Sequence, residues 1–443
     1  MARTIDPAGT PSPVERGNRT ATPTVLRRVV AASFIGNFVE WFDYAVYGYL
    51  ATVIARVFFP DSSPATGLLA TFAVFAISFV IRPVGGLVWG HFGDRIGRRT
   101  ALSLSILIMS TATFCIALIP GHDQIGLAAP ILLLVVRMVQ GFSASGEYAG
   151  ASAFLAEYAP DHRRGLYTSV VPASTAAGLL FGSLLAALLT GVLSGDQLDS
   201  WGWRLPFLLA APLGLIGRYI RLRLEDTPRF HELELREQSN APLRILFTQH
   251  RRAIAIAFGV TCLNAVGFYL LLSYMPTYLS TQLGVGETAS FVASAITLTC
   301  YIGFIFGMGR LSDRFGRKRV LIAASILFAV LTVPLFAALG AVGIVGIVLI
   351  EIVLSALLTM NDGTLPVFLA EIFPTRVRYS GFAFSFNTAN ALFGGTAPFV
   401  ATLLIKLTGS DLAPAWYLVG AALVAMGAML LARETSHRPL ADD

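Results

Sequence analysis

Glu40 and Asp43 stand three residues apart in an otherwise apolar stretch, Gly36-Asn37-Phe38-Val39-Glu40-Trp41-Phe42-Asp43-Tyr44-Ala45-Val46-Tyr47-Gly48. That spacing puts both carboxylates on one face of a helix. Charge inside a bilayer is costly unless it is paired or faces water, so each such group is a candidate for function. Two neighbouring carboxylates in a low-dielectric setting suit a proton carrier or a solute contact; the alternative is structural pairing with an arginine. Arg82 interrupts a second apolar run at Arg82-Pro83, where it either takes Asp43 or Glu40 as partner or snorkels to the membrane face. Arg137 and Glu147 lie in Arg137-Met-Val-Gln140-Gly141-Phe-Ser143-Ala-Ser145-Gly146-Glu147-Tyr148, too far apart along a helix to pair with each other. Both are candidates for proton coupling or solute binding, with inter-helix pairing as the alternative. The small residues between them permit close helix packing.

Trp41, Tyr44 and Tyr47 flank the first carboxylates. Aromatic faces beside a carboxylate suit an ammonium group through cation–π attraction, although any single ring also serves as packing. Asn264, Tyr269, Tyr274, Asn387 and Asn390 are the corresponding candidates in later apolar runs, which also contain Glu351 and Asp362. Most other Tyr and Trp residues near run ends are expected to be interfacial anchors.

The elements that must carry these residues are long and apolar. Of 443 residues, 55% are hydrophobic and 13% charged, whereas a soluble domain is usually about one quarter charged. Runs such as Thr100–Ile119 and Ile322–Val345 reach the roughly 20 residues that span a bilayer. The formal charge is +6, carried almost wholly by arginine in short loops, since only Lys318 and Lys406 are lysines. This placement is a membrane topology signal and not a nucleic-acid face. Cys115, Cys262 and Cys300 have no pairing pattern, and the six His are scattered. No disulfide framework, metal site or cofactor is expected. No G-x-S-x-G element or metal-binding His pattern supports an intramembrane enzyme.

The pattern predicts an all-α membrane protein with twelve spans, near 28–58, 67–92, 100–119, 126–157, 165–193, 204–224, 252–282, 288–311, 319–339, 343–371, 379–406 and 414–432. Residues 1–24 read as a disordered cytoplasmic tail without a signal-peptide core. A six-helix half over 25–224 is expected, then a cytoplasmic linker over 225–251, a second six-helix half over 252–433 and a tail over 434–443. Arginines fill the connections after even-numbered spans, while Asp61, Asp123, Asp196, Asp199, Glu287 and Asp411 mark those after odd-numbered ones. By the positive-inside rule both termini are cytoplasmic.

The halves repeat. Gly90-His-Phe-Gly-Asp94-Arg95-Ile-Gly97-Arg98-Arg99 returns as Gly309-Arg-Leu-Ser-Asp313-Arg314-Phe-Gly316-Arg317-Lys318, at an offset of 219 residues. Phe154-Leu-Ala-Glu157-Tyr-Ala-Pro160 returns as Phe368-Leu-Ala-Glu371-Ile-Phe-Pro374, each followed by arginines that include Arg164 and Arg378. The first loops resemble the signature of the major facilitator superfamily. The resemblance implies two pseudo-symmetric six-helix halves rocking about a central site. It also implies a cytoplasmic gate made of Gly90, Asp94, Arg95, Arg98, Asp313, Arg314 and Arg317, with Glu157, Arg164, Glu371 and Arg378 joining it. Arg137-x-x-Gln-Gly resembles the family's span-4 motif, whose Arg is associated with proton transfer.

Gly36-Asn37-Phe-Val-Glu40-Trp41-Phe42-Asp43, Arg82-Pro83-Val-Gly85-Gly86, Gln140-Gly141-Phe-Ser-Ala-Ser-Gly146-Glu147-Tyr148 and Trp201-Gly202-Trp203-Arg204-Leu-Pro206-Phe207 resemble the metabolite:proton symporter branch. Ser273-Tyr274-Met275-Pro276-Thr277-Tyr278-Leu279-Ser280 and the ending Glu434-Thr435-Ser-His-Arg438-Pro439-Leu440 look most like bacterial proline/betaine:proton symporters. The resemblance implies proton-coupled import of a small organic solute across a bacterial inner membrane, by a monomer whose partners are solute, protons and lipid. The same branch carries citrate, 2-oxoglutarate and shikimate. Two intramembrane arginines against five acids fit a zwitterion better than a di- or tricarboxylate. Span 5 has Val171-Pro172-Ala-Ser-Thr-Ala-Ala-Gly178 and lacks the Gly-Pro-x-x-Gly-Gly element of drug:proton antiporters.

Overall fold

The computed structural model describes residues 23–222, 242–436 and 438–441. Residues 1–22 of the expected tail and 223–241 of the expected linker lie outside the described residues. Every regular element is helical. The helices used below are α1 Pro23–Tyr49, α2 Arg82–Ile96, α3 Arg98–Leu118, α4 Ala128–Ala144, α5 Glu147–Tyr158, α6 Val170–Val192 and α7 Arg204–Leu222 in the first half. In the second half they are α8 Arg251–Phe268, α9 Glu287–Phe315, α10 Arg317–Leu339, α11 Ile344–Asp362, α12 Leu365–Ile372, α13 Arg378–Ala389 and α14 Ala413–Leu431.

Ten helical stretches, from Ala70–Ile96 to Ala413–Leu431, are long and apolar enough to cross a membrane. Twelve were expected. The other two expected regions are also helical, as α1 and α7, but are more polar. Arg27, Arg28, Glu40 and Asp43 lie in α1, and Arg204 and Arg218 in α7. Large apolar side chains such as Val80, Leu127, Val192, Val345, Phe399 and Leu407 are exposed on the outer surface. A surface of that kind is solvated by lipid chains.

The two halves use one local device at the same place. Gly97 and Gly316 take φ values of 98° and 97° and break the chain between α2 and α3 and between α9 and α10. Only glycine adopts that backbone region without steric cost. The sharp turn aims Arg98 and Arg317 back into the protein, where both are buried.

Within the described part of the expected linker, Pro242–Gln249 is a helix, and its Leu246 is fully buried. Its alternation of Leu243, Ile245, Leu246 and Phe247 gives it an apolar face to bury. The helices around the carboxylates are fastened early in α1. Asn37 Nδ2 donates to Val171 O, Ser174 Oγ and Thr175 Oγ1 on α6, at 2.9, 2.9 and 2.6 Å. Inter-helix hydrogen bonds of this type contribute about 1 kcal/mol in membrane proteins. Asn37→Leu is therefore expected to lower the melting temperature of the detergent-purified protein by a few degrees; an unchanged transition would remove the α1–α6 clasp from the account.

Candidate functional site

The carboxylates of α1 are each held by an arginine from another helix. Arg82 Nη2 lies 2.8 Å from Glu40 Oε1, and Arg137 Nη1 lies 2.8 Å from Asp43 Oδ2. Gln140 Nε2 donates to Asp43 Oδ1 at 3.1 Å and to Thr113 Oγ1 at 2.7 Å, while its own oxygen accepts from Arg137. Arg82 does not snorkel; it is 3% exposed. Proline at the second position of α2 starts the helix without needing an N–H partner and sets the arginine at its first turn.

Rings enclose the pairs. The Arg82 guanidinium carbon lies 4.6 Å from the Phe79 ring centre and 4.7 Å from that of Tyr44. Arg137 lies 4.1 Å from the Tyr47 ring. Trp41 meets Phe268 edge-on at 5.0 Å and Tyr269 at 6.2 Å, and Tyr269 meets Phe79 at 5.9 Å. These contacts join the halves. Among the described residues, the Trp41 Nε1, Tyr269 Oη, Glu40 Oε2 and Arg82 Nε atoms are buried without a hydrogen-bond partner. Polar atoms aimed among aromatic faces have the chemistry to answer a polar solute.

The remaining candidates divide. Glu147 is fully buried in the first turn of α5, within electrostatic reach of Glu40. Tyr47 donates to Thr71 O at 3.0 Å and backs Arg137. Tyr274 pairs with Thr402 Oγ1 at 2.9 Å. Asn387 donates to Ser145 O at 2.7 Å across the halves, Asn390 to Phe386 O within its own helix, and Asn264 to Asp362. Asn264 and Asn387 thus already hold hydrogen-bond partners, Asp362 and Ser145 O. Phe79, Phe268, Gln140 and Thr113 were not singled out as site residues. Phe79, three residues before Arg82, and Gln140, three residues after Arg137, carried a usable spacing signal.

A second network closes the arginine-rich end. The Asp94 carboxylate accepts from the Tyr379 and Ser380 N–H groups at 3.1 and 2.9 Å, at the start of α13. Its repeat partner Asp313 accepts from Gly165 and Leu166 N–H at 2.8 and 2.9 Å, ahead of α6. Each acid of one half thus caps a helix start of the other. Glu157 binds Arg98 of its own half and Arg378 of the other. Glu371 binds Arg317 of its own half at 3.3 Å and Arg164 of the other at 3.7 Å. Arg95 and Arg314, also expected in the gate, are exposed and form no ion pair among the described residues. One residue's shift along the helix turns them outward, while Arg98 and Arg317 point in. A side chain at Gly309 would run into the carbonyl oxygen of Gly165 and the side chain of Ser169, and one at Gly90 into the backbone of Ser380, so these glycines let the halves touch.

The chain end straps this network. Glu434 accepts from Arg317 and Lys318 N–H at 2.9 and 3.1 Å, Thr435 Oγ1 donates to Glu371 at 2.7 Å, and Arg438 O accepts from Arg164 at 2.8 Å. Ala441 O accepts from Thr375 N and from Arg378. Burial pushes the Glu434 carboxyl up, but the N–H groups of Ser436, Arg317 and Lys318 outweigh it and hold it below the usual carboxylate range. Its contribution is therefore fully present at neutral pH and lost only as acid takes the pH down through that lowered value.

Comparisons with known proteins agree with this architecture. Residues 33–308 match the model of the Major Facilitator Superfamily, and residues 231–442 match that of the Sugar (and other) transporter family. The glycine betaine/proline/ectoine/pipecolic acid transporter OusA of Dickeya dadantii is 39% identical over 94% of this chain and 85% of its own. The proline/betaine transporter of Escherichia coli K12 is 38% identical with the same coverage. Among solved structures, the proton:xylose symporter XylE bound to 6-bromo-6-deoxy-D-glucose superposes with a TM-score of 0.80 at 17% identity, covering 95% of this chain and 98% of that one. The inward-open xylose transporter XylE from E. coli gives 0.66 at 18% identity, covering 94% and 98%. These likenesses establish the fold.

Removing the Glu157 carboxylate leaves Arg98 and Arg378 without their shared partner, which favours the separated state. In a Glu157→Gln protein, a cysteine introduced at Ser145 is expected to label several-fold faster with an impermeant maleimide from the arginine-rich side. Equal rates in the two backgrounds would contradict the gate.

Proposed function

The chain belongs to the major facilitator superfamily and is a secondary transporter, and we propose that it imports a small zwitterion of the proline or glycine betaine type by proton symport. The observation that carries this reading is the pair of buried carboxylate–guanidinium contacts on α1, Glu40–Arg82 and Asp43–Arg137, set among aromatic rings from both halves. The substrates named for the relatives in Dickeya and Escherichia support the same class.

In the proposed cycle a proton on Asp43 releases its grip on Arg137, and a proton on Glu40 frees Arg82. Arg82 then takes the solute carboxylate, and its bidentate fork suits that group. The ammonium rests against Trp41, Tyr44, Phe79, Phe268 and Tyr269 by cation–π attraction. Bound solute draws the halves together about the site, and the network of Asp94, Asp313, Glu157 and Glu371 parts to open the other side. The reading includes twelve crossings, with α1 and α7 making up the number beyond the ten most apolar stretches. The arginine-rich end faces the cytoplasm, as do both termini, in a bacterial inner membrane. The expected halves over 25–224 and 252–433 are the moving bodies of a monomer.

Reconstituted protein under an inward proton gradient is expected to accumulate labelled proline and glycine betaine, and an uncoupler to abolish it. Accumulation of citrate or 2-oxoglutarate in their place would overturn the zwitterion assignment. Asp43→Asn is expected to lose gradient-driven accumulation while gradient-free exchange of the zwitterion persists; undiminished accumulation would remove Asp43 from the coupling.

A further inference from the structure

Asp362 closes α11 deep in the second half and is fully buried. Asn264 Nδ2 of α8 donates to its Oδ1 at 2.8 Å, and Tyr301 Oη of α9 lies 2.6 Å from its Oδ2. Among the described residues it forms no ion pair, in contrast to Glu40 and Asp43. An ionised carboxylate taken out of water without a counter-charge is strongly disfavoured, and binding a proton relieves the cost.

The three side chains accommodate either protonation state in one geometry. Tyrosine hydroxyl is both donor and acceptor. Tyr301 donates to the carboxylate when Asp362 is ionised and accepts from the acid O–H when it is not. Asn264 donates to the other oxygen in both states. No group has to move and no hydrogen bond is lost when the proton arrives or leaves. An arginine in Tyr301's place would instead favour the ionised form.

The position also communicates with the first half. Tyr148 of α5 lies within electrostatic reach of both Asp362 and Glu40 and stacks on Phe386 of α13 at 4.3 Å. The groups that face Asp362 are thus Asn264 from α8, Tyr301 from α9 and Tyr148 from α5, with Glu40 beyond. On its own helix, Glu351 bonds Thr297 of α9 at 2.9 Å, within the same half.

We propose that Asp362, with Tyr301 and Asn264, is a second proton-binding site in the half opposite Glu40 and Asp43. The proton comes from the aqueous side to which the centre is open, forms an O–H bond on Asp362, and leaves that oxygen after the halves rearrange. The inference rests on the proton-symport reading. Its test is the proton-to-solute flux ratio in proteoliposomes, together with the pH dependence of gradient-free exchange of labelled glycine betaine. Asp362→Asn is expected to keep exchange, to lose one step of its pH dependence, and to lower the ratio by about one proton per solute. Tyr301→Phe keeps the carboxyl and is expected to keep the ratio while displacing that step along the pH axis. Wild-type ratio and pH dependence in Asp362→Asn would overturn the site. Loss of exchange at every pH in a folded Asp362→Asn protein would overturn it in favour of a direct solute contact. If Asp362→Asn fails to fold, an unmoved step in Tyr301→Phe overturns it. Absence of proton-driven uptake by the unaltered protein is a separate result and fails the symport reading itself.

Discussion

A guanidinium buried in a bilayer protein must have a carboxylate beside it, and among the described residues six buried arginines organise this molecule. Arg82 and Arg137 fix the two acids of α1 near its middle. Arg98, Arg164, Arg317 and Arg378 share Glu157 and Glu371 at the arginine-rich end. The apolar surface that places the chain in lipid also makes each of these pairs obligatory. Their arrangement therefore sets where helices may approach and which states the protein can occupy.

In the proposed cycle, opening the end network leaves neither glutamate without an arginine. Glu157 keeps Arg98, and Glu371 keeps Arg317, when the halves separate, because those contacts lie within one half. What is lost is the cross-half share: Arg378 from Glu157, Arg164 from Glu371, and the two capped helix starts at Tyr379 and Gly165. A bistable interface of this kind changes state by exchanging a limited set of contacts and not by deforming a core. The strap from Glu434 to Ala441 adds carbonyl acceptors for Arg164 and Arg378, so the chain end takes part in the closed state.

Much of this was legible in the sequence. The repeated Asp-Arg-x-Gly-Arg loops marked residues of the buried network at the arginine-rich end, and the carboxylates of α1 marked the two ion pairs with Arg82 and Arg137. What the sequence left open was partnership across the fold. Arg82 had two acids within reach of argument, and only the fold, which brings its Nη2 to 2.8 Å from Glu40 Oε1, selects Glu40. Glu157, Glu371, Arg164 and Arg378 were expected to join the network, but which glutamate takes which arginine was open; each takes the arginine of the opposite half. Arg95 and Arg314 looked equivalent to Arg98 and Arg317 in the motif; the positive-φ turn at Gly97 and Gly316 separates them. Ser380, which caps Asp94 through its backbone N–H and hydroxyl, and the strap carbonyls at Arg438 and Ala441 carry no side-chain signal of that role at all. Asp362 was visible as a charge, but its trio with Asn264 and Tyr301 depends on three helices meeting.

The central claim is that protons and zwitterion cross together. The most direct measurement uses de-energised proteoliposomes with a pH probe in the external medium, and adds glycine betaine with no imposed gradient. The account predicts that the medium turns alkaline on addition, at a rate proportional to labelled solute entry, and that Asp43→Asn protein gives a smaller pH change for each solute that enters. Solute entry by the unaltered protein with a flat pH trace would contradict it.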